Sequence, residues 1–158
     1  SKIPVVLDAE QFFIEKSIIL EMINCVSDPV LPINFAKKVT GKEEVTEIIN
    51  ALWNESRNAV VLTDGANGCY FRDSSSPAIR KLSAYKITAT DTNGTGDIFH
   101  GAYAYGILNN MQTVERLKFA SAAAASVAEL PQGSIRKPKL DQIKEFISSH
   151  SELEISDI

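Results

Sequence analysis

The residues best suited to chemistry stand together at Asp91-Thr92-Asn93-Gly94-Thr95-Gly96-Asp97, followed by Ile98-Phe99-His100-Gly101-Ala102. Gly94 and Gly96 carry no Cβ, so backbone N–H groups can approach a ligand closely there. The pattern predicts that this turn opens into a helix running from Asp97 to Asn109. A helix N-terminus presents unpaired N–H groups and partial positive charge, which favour an anion, and phosphate is the natural guest. Asp97 stands beside that guest. An anion cradle next to a carboxylate suits phosphoryl transfer to a hydroxyl. The N–H groups neutralise charge on the transferring group, and the carboxylate accepts the hydroxyl proton. A plain turn followed by an Asp helix cap leaves the same short string, so Gly-x-Gly-Asp does not decide by itself. Two other phosphate motifs fail: Gly-x-x-x-x-Gly-Lys-Ser/Thr is missing, and the dinucleotide pattern needs glycine where Phe99 stands. His100, one turn beyond Asp97, could touch a substrate or cap a neighbouring loop, and it is not counted as catalytic.

The elements that must position these residues alternate between strands and helices. Ile3 to Asp8 reads as a buried parallel strand with Asp8 at its C-terminal end, where α/β sheets bind ligands, although a cap or loop role fits Asp8 as well. Ser17 to Ile23 is expected to be helical and Ile23 to Val26 a second strand, with Pro29 and Pro32 breaking the chain. Ile33 to Val39 reads as a short helix stopped by Gly41. Glu43 to Asn54 is the clearest helix, because Val45, Ile48, Ile49 and Leu52 form one apolar stripe. Ala59 to Thr63 is a buried strand. Cys69 to Arg72 and Ile79 to Leu82 flank a polar turn and suggest an antiparallel hairpin. Lys86 to Ala89 leads as a short strand into the central turn. Thr113 is the expected N-cap of a helix reaching Glu129, whose Ala120 to Ala128 stretch of small residues permits close packing or a flat ligand. Pro138 opens a last helix with Leu140, Ile143, Phe146 and Ile147 as its buried face, and residues 151–158 form a polar, frayed tail. The alternation gives an α/β fold with a mostly parallel sheet, the organised part spanning residues 1–150.

Composition narrows the classes. An apolar fraction of 44% beside 23% charged residues is that of a soluble globular domain, and no apolar run approaches the roughly 18 residues that span a bilayer. The net charge of −4 argues against a nucleic-acid partner, since phosphate backbones want a basic face. The run Ile3 to Leu7 is too short for a signal peptide. Cys25 and Cys69, each in an apolar strand-like run, are expected as reduced thiols in the cytoplasm rather than as a disulfide. Two histidines without a Cys-x-x-Cys leave no zinc site of ordinary spacing.

Asp91-Thr92-x-Gly94-x-Gly96-Asp97 with Phe99-His100-Gly101-Ala102 resembles the C-terminal signature of the PfkB family of carbohydrate kinases, within the ribokinase-like superfamily. Most members carry Ala at the place of Thr95. Gly-Thr-Gly-Asp also resembles the pyridoxal kinase branch, while the Asp91-Thr92 start favours the sugar kinases. Ala59 to Gly68 is similar to the family's strand ending in Thr-x-Gly-x-x-Gly, which implies nucleotide phosphate contacts at Thr63, Gly65 and Gly68. Phe119 to Gly133 resembles the nucleotide-flanking helix, with Ser121 where many members have Asn near the adenine. Asp91 and Asn93 align with positions near a monovalent-cation site, K+ in ribokinase-type members. The resemblance implies a three-layer ribokinase-like sandwich, MgATP, a sugar acceptor and Asp97 as general base, with Gly94, Thr95 and Gly96 as the anion hole and Asn93 alongside.

Two departures stand out. The family's Asn-x-x-Glu ahead of Thr-Gly falls here on Pro32 and Phe35, counted back from Thr40-Gly41, and neither can ligate Mg2+ through its side chain. The family's N-terminal half, with most sugar contacts and a small β lid, has no counterpart in these 158 residues. The chain therefore reads as a C-terminal portion that is inactive alone. Its sheet edge near Ile3 to Asp8 invites self-association. A non-catalytic sugar- or nucleotide-binding regulator and a pyridoxal-type vitamin kinase are the alternatives.

Overall fold

A computed structural model describes residues 3–9, 15–134 and 137–158. The described residues form two compact units, Ser1–Leu82 with Ile155–Ile158, and Ser83–Glu154.

The first unit holds a mixed sheet in the order β1 (Val6–Leu7), β2 (Asp28–Pro32), β3 (Ala59–Thr63), β4 (Cys69–Asp73), β5 (Ser76–Leu82) and β6 (Ile155–Asp157). The first three strands are parallel neighbours, and each later pair is antiparallel, so four of the six strands share one direction. Helices α1 (Lys16–Cys25), α2 (Ile33–Thr40) and α3 (Val45–Leu52) supply Ile19, Ile23, Phe35, Val39, Ile48, Ile49 and Leu52 to one core, closed by Leu31, Val60, Leu62 and Ile79 of the sheet. The stripe expected for the third helix holds, and Gly41 ends α2 in the left-handed region at φ 71°. Arg57 is buried and ties the core's corners together, donating to the carbonyls of Ile23, Val26 and Leu52. These carbonyls stand at or just past the C-terminal ends of α1 and α3, where helix acceptors run short of intrahelical donors, although Ile23 O also accepts Val26 N–H at 3.3 Å.

The second unit consists of α4 (Thr95–Leu108), α5 (Thr113–Ala128) and α6 (Leu140–Ser149). Helices α4 and α5 pack through Tyr103, Leu117, Ala120 and Ala123, each fully buried, and Tyr105 stacks on Phe119 at 5.4 Å. The small side chains of α5 thus serve close helix packing. Phe146 of α6 meets the edge of Tyr85 at 5.2 Å.

Several expectations need correction. No strand forms over 23–26: α1 continues to Cys25, and the strand lies at Asp28–Pro32 instead. Pro29 and Pro32 sit inside that strand near its two ends, where each removes at most one ladder donor, while Val30 and Leu31 are fully buried. Cys25 is accordingly an exposed helix-end residue; Cys69 is buried in β4, and both thiols are free. The first strand shrinks to Val6–Leu7, leaving Asp8 just beyond it. Lys86 to Ala89 is no strand; mostly exposed residues there have no ladder partner. Thr113 is the first helical residue of α5 and Gln112 its N-cap. Helix α6 starts at Leu140, two residues after Pro138, and buries Ile143 and Phe146, whereas Leu140 and Ile147 are exposed. The tail is not frayed. Ile155–Asp157 pairs with β5, Ile158 N–H donates to Ile79 O at 3.1 Å, and Leu153 is buried. All three side chains of β6 are exposed, so backbone pairing alone holds the strand and no apolar pattern announces it.

Candidate active site

The central turn is built almost entirely from its own hydrogen bonds. Asp91 Oδ1 accepts the Asn93 N–H at 2.9 Å. Thr92 O accepts both the Thr95 hydroxyl at 2.8 Å and the Thr95 N–H at 3.2 Å. Gly94 is the N-cap of α4 with φ 73° and ψ 4°, a left-handed conformation that glycine adopts without strain. A Cβ there would lie 3.7 Å from Asp97 Oδ2, an ordinary contact, so backbone conformation rather than crowding calls for glycine. Ile98 N–H then donates to Gly94 O at 3.1 Å, the first helical bond. Ahead of the turn, Ala128 O at the end of α5 accepts the N–H groups of Thr90 at 2.8 Å and Asp91 at 3.2 Å. The end of one helix thereby anchors the start of the next.

Two of the turn's backbone donors are committed to it. The N–H groups of Asn93 and Thr95 hold the turn closed. Those of Gly94, Gly96 and Asp97 have no partner among the described residues. Asp97 is exposed in the first turn of α4, and no side chain caps this helix, so its carboxylate is not spent on the turn. Open N–H donors and an uncommitted carboxylate on one exposed turn are the parts that phosphoryl transfer needs. Thr95 contributes its N–H and hydroxyl to closing the turn, while the N–H groups of Gly94 and Gly96 meet no partner among the described residues.

His100 sits one helical turn further on, with Nδ1 2.8 Å from Gly96 O and its ring set edgewise to Phe99 at 6.2 Å. The sequence carried a signal for this contact in the four-residue spacing between Gly96 and His100. No side-chain pattern could reveal the double acceptance at Ala128, since backbone groups make it. Ser121 lies half-buried on α5 between the buried Ala120 and Ala122.

Thr63, Gly65 and Gly68 belong to the first unit, in the loop joining β3 to β4. Asp64 N–H donates to Gly68 O at 2.8 Å, Asn67 N–H to Asp64 O at 2.9 Å, and Gly68 N–H to Gly65 O at 3.1 Å. Asn67 Nδ2 reinforces the loop through Asp64 Oδ2 at 3.1 Å. Gly68 adopts φ 93° and ψ −136°, which a side chain would strain. The N–H groups of Gly65 and Ala66 have no partner among the described residues, so this loop also exposes donors. Cys69, next along, is no nucleophile: burial pushes its thiol up to about 12.

Phe35, where the family motif has its metal-organising carboxylate, is 2% exposed within the core, and Asn34 beside it is exposed and out of register. Among the described residues no group of three or more His, Cys, Asp or Glu could hold a metal ion. No helix of the described residues is long and apolar enough to cross a membrane.

The mixed α/β fold matches that of ribokinase structures, with a TM-score of 0.80 to one from Agrobacterium tumefaciens at 23% identity, covering 92% of this chain and 47% of that one. Residues 19–140 match the pfkB family carbohydrate kinase, and the chain belongs to that family. It is 30% identical over 105 residues to the 5-dehydro-2-deoxygluconokinase of Bacillus subtilis, covering 66% of this chain and 32% of that protein. It is 33% identical to the ribokinase of Lactococcus lactis over 63% of this chain and 31% of that protein. The structure of Arabidopsis thaliana ribokinase complexed with ribose and ATP superposes with a TM-score of 0.75 at 22% identity, covering 92% of this chain and 47% of that one. The chain thus spans about a third of the curated relatives and about half of the solved kinase.

Proposed function

We propose that this chain is the nucleotide-binding, catalytic half of an ATP-dependent sugar kinase. The observation that carries the reading is the turn at Gly94–Asp97, whose three open N–H groups lie beside a carboxylate that caps nothing. As the resemblance implies, MgATP is assigned phosphate contacts at Thr63, Gly65 and Gly68 in the first unit and an adenine-side neighbour at Ser121 in the second. Its γ-phosphoryl is received by the N–H groups of Gly94, Gly96 and Asp97, with Asn93 shaping the turn through Asp91. Asp97 accepts the proton of a sugar hydroxyl as that oxygen attacks the phosphorus in line and ADP leaves. Phosphoryl transfer is mostly positioning and charge stabilisation, so a few such groups suffice. Mg2+ bound with the phosphates would supply further charge neutralisation. Pro32 and Phe35 offer it no ligand. Asp91 is the candidate neighbour of a monovalent cation such as K+, with one carboxylate oxygen already accepting Asn93 N–H.

The acceptor is a small sugar, in keeping with the similarity to a 5-dehydro-2-deoxygluconokinase and a ribokinase, and the reaction is placed in the cytoplasm. Because the chain spans 47% of the matched ribokinase, it is expected to be inactive alone, and the assay uses it fused to the N-terminal half of a ribokinase relative. ADP release is followed with MgATP and a panel of ketoses, aldoses, nucleosides and pyridoxal. Asp97→Asn keeps the shape and removes the base, and turnover is expected to fall about 10²–10⁴-fold. A loss under about threefold would refute Asp97 as general base. The departures at Pro32 and Phe35 favour one second reading, a regulator that binds sugar or nucleotide without turnover. Tight MgATP binding with no ADP release for any acceptor would establish it.

A further inference from the structure

We propose that His100 is a positioning residue for the anion turn, acting through the Gly96–Asp97 peptide. The inference rests on the reading of Gly94–Asp97 as the cradle of the transferring phosphoryl group. A carbonyl oxygen only accepts, so the 2.8 Å contact between Nδ1 and Gly96 O places the hydrogen on Nδ1. Gly96 C=O and Asp97 N–H are the two ends of one peptide unit. Helix geometry aims the carbonyl along α4 toward residue 100 and the N–H out of the N-terminus toward the open donor side. A second donor on that carbonyl does two things. It polarises the peptide, strengthening Asp97 N–H as a donor, because hydrogen bonds in a chain reinforce one another. It also restrains the peptide plane at Gly96, which as a glycine has ample backbone freedom to lose.

Nothing else among the described residues does this for Gly96. The Asn93 and Thr95 N–H groups are fixed by Asp91 and Thr92, upstream of the glycine, and Gly94 O is taken by Ile98. Phe99 holds the imidazole ring edgewise at 6.2 Å, which limits its rotation away from the carbonyl. Asparagine carries an N–H donor at the same δ position as the imidazole Nδ1, so it is the conservative replacement, and alanine removes the donor.

The test compares wild type, His100→Ala and His100→Asn of the 158-residue chain by calorimetric titration with MgATP and with MgADP, and records the Asp97 amide by NMR without nucleotide. MgADP lacks the group that the turn is proposed to hold. His100→Ala is expected to weaken MgATP binding roughly three- to tenfold, the scale of one neutral hydrogen bond, and MgADP binding less than about twofold. It is expected to move the Asp97 amide resonance and speed its hydrogen exchange. His100→Asn is expected to restore both readouts. Equal weakening of MgATP and MgADP, an unaltered Asp97 amide in His100→Ala, or failure of His100→Asn to restore it would overturn the proposal. Wild type binding neither nucleotide would sink the phosphoryl-cradle reading for this chain. The amide readout would still report whether the His100–Gly96 bond orders the turn.

Discussion

Helix α4 carries two glycines whose replacement by alanine is expected to act in opposite directions. Both lie in the helix interior, where alanine is favoured over glycine by about 0.5–1 kcal/mol. At Gly101 an added Cβ meets nothing within 4 Å, so that gain is realised in full. At Gly106 the same Cβ would stand 2.5 Å from Arg116 Cγ and 3.3 Å from Arg116 Cβ and Cδ. These atoms are the stem of the side chain. Its tip is held over the Tyr103 ring at 4.7 Å, and Nη2 donates to Thr113 Oγ1 at 3.2 Å. The stem cannot swing aside without giving up those contacts, so α4 must move away from α5. Overpacking of this kind costs about 1–3 kcal/mol, which outweighs the helix gain. The net expectation is a loss of about 0.5–2 kcal/mol for Gly106→Ala and a gain of about 0.5–1 kcal/mol for Gly101→Ala. Urea unfolding followed by circular dichroism reads both. Arg116→Ala removes Cγ and Cδ, so in that background the Gly106→Ala penalty should shrink by about 1 kcal/mol or more. A stabilising Gly106→Ala, or a penalty unchanged by Arg116→Ala, would refute the packing argument. Since α4 also starts with the candidate turn, a shift of this helix should lower turnover of the fused enzyme as well.

Thiol labelling should distinguish the two cysteines: Cys25, exposed at the end of α1, reacts in the native chain, and Cys69, buried with its thiol pushed up to about 12, reacts only on unfolding. Labelling of Cys69 at the native rate of Cys25 would contradict its burial. Burial, helped by the carboxylate of Glu152, holds the Tyr85 phenol above the ordinary tyrosine value. The folded state therefore prefers the neutral phenol. Its contribution is complete below the ordinary tyrosine value and is lost as pH rises through the raised one. Tyr85→Phe keeps the ring against Phe146 and should remove that alkaline loss, and an unchanged alkaline profile in unfolding titrations would count against it. Among the described residues, strand β1 pairs with β2 alone, and it is two residues long. Self-association through this edge is expected at rising concentration on sizing, and a sharp concentration-independent monomer peak would argue otherwise.

What could be read from the sequence was what side chains decide. The stripe of Ile48, Ile49 and Leu52 and the run Ala59 to Thr63 gave α3 and β3 because burial follows those patterns directly. Asp28–Pro32 was hidden because two prolines suggested a break, although burial of Val30 and Leu31 outweighs the loss of two ladder donors. Strand β6 was hidden for the converse reason: its side chains are exposed, and only the open edge of β5 selects it. At the candidate site the residue types were legible and their division of labour was not. Spacing cannot tell an N–H that closes a turn from one that faces outward.

That division explains why threonine can stand at position 95. The residue contributes its N–H and its hydroxyl to a single acceptor, Thr92 O, on the inner side of the turn. Alanine would keep the N–H bond and lose only the hydroxyl's, so the open donors of Gly94, Gly96 and Asp97 would stay where they are. Gly94 has no such latitude. Gly94 holds a left-handed conformation, and Gly96 places its carbonyl within reach of His100 while its N–H stays open. The polar residues of the turn therefore set its shape, and the groups left for a ligand belong to the glycines and to Asp97. A screen for nucleotide binding should accordingly tolerate Thr95→Ala and reject substitutions at Gly94. Tolerance of both alike would mean that the shape of this turn does not matter to the ligand.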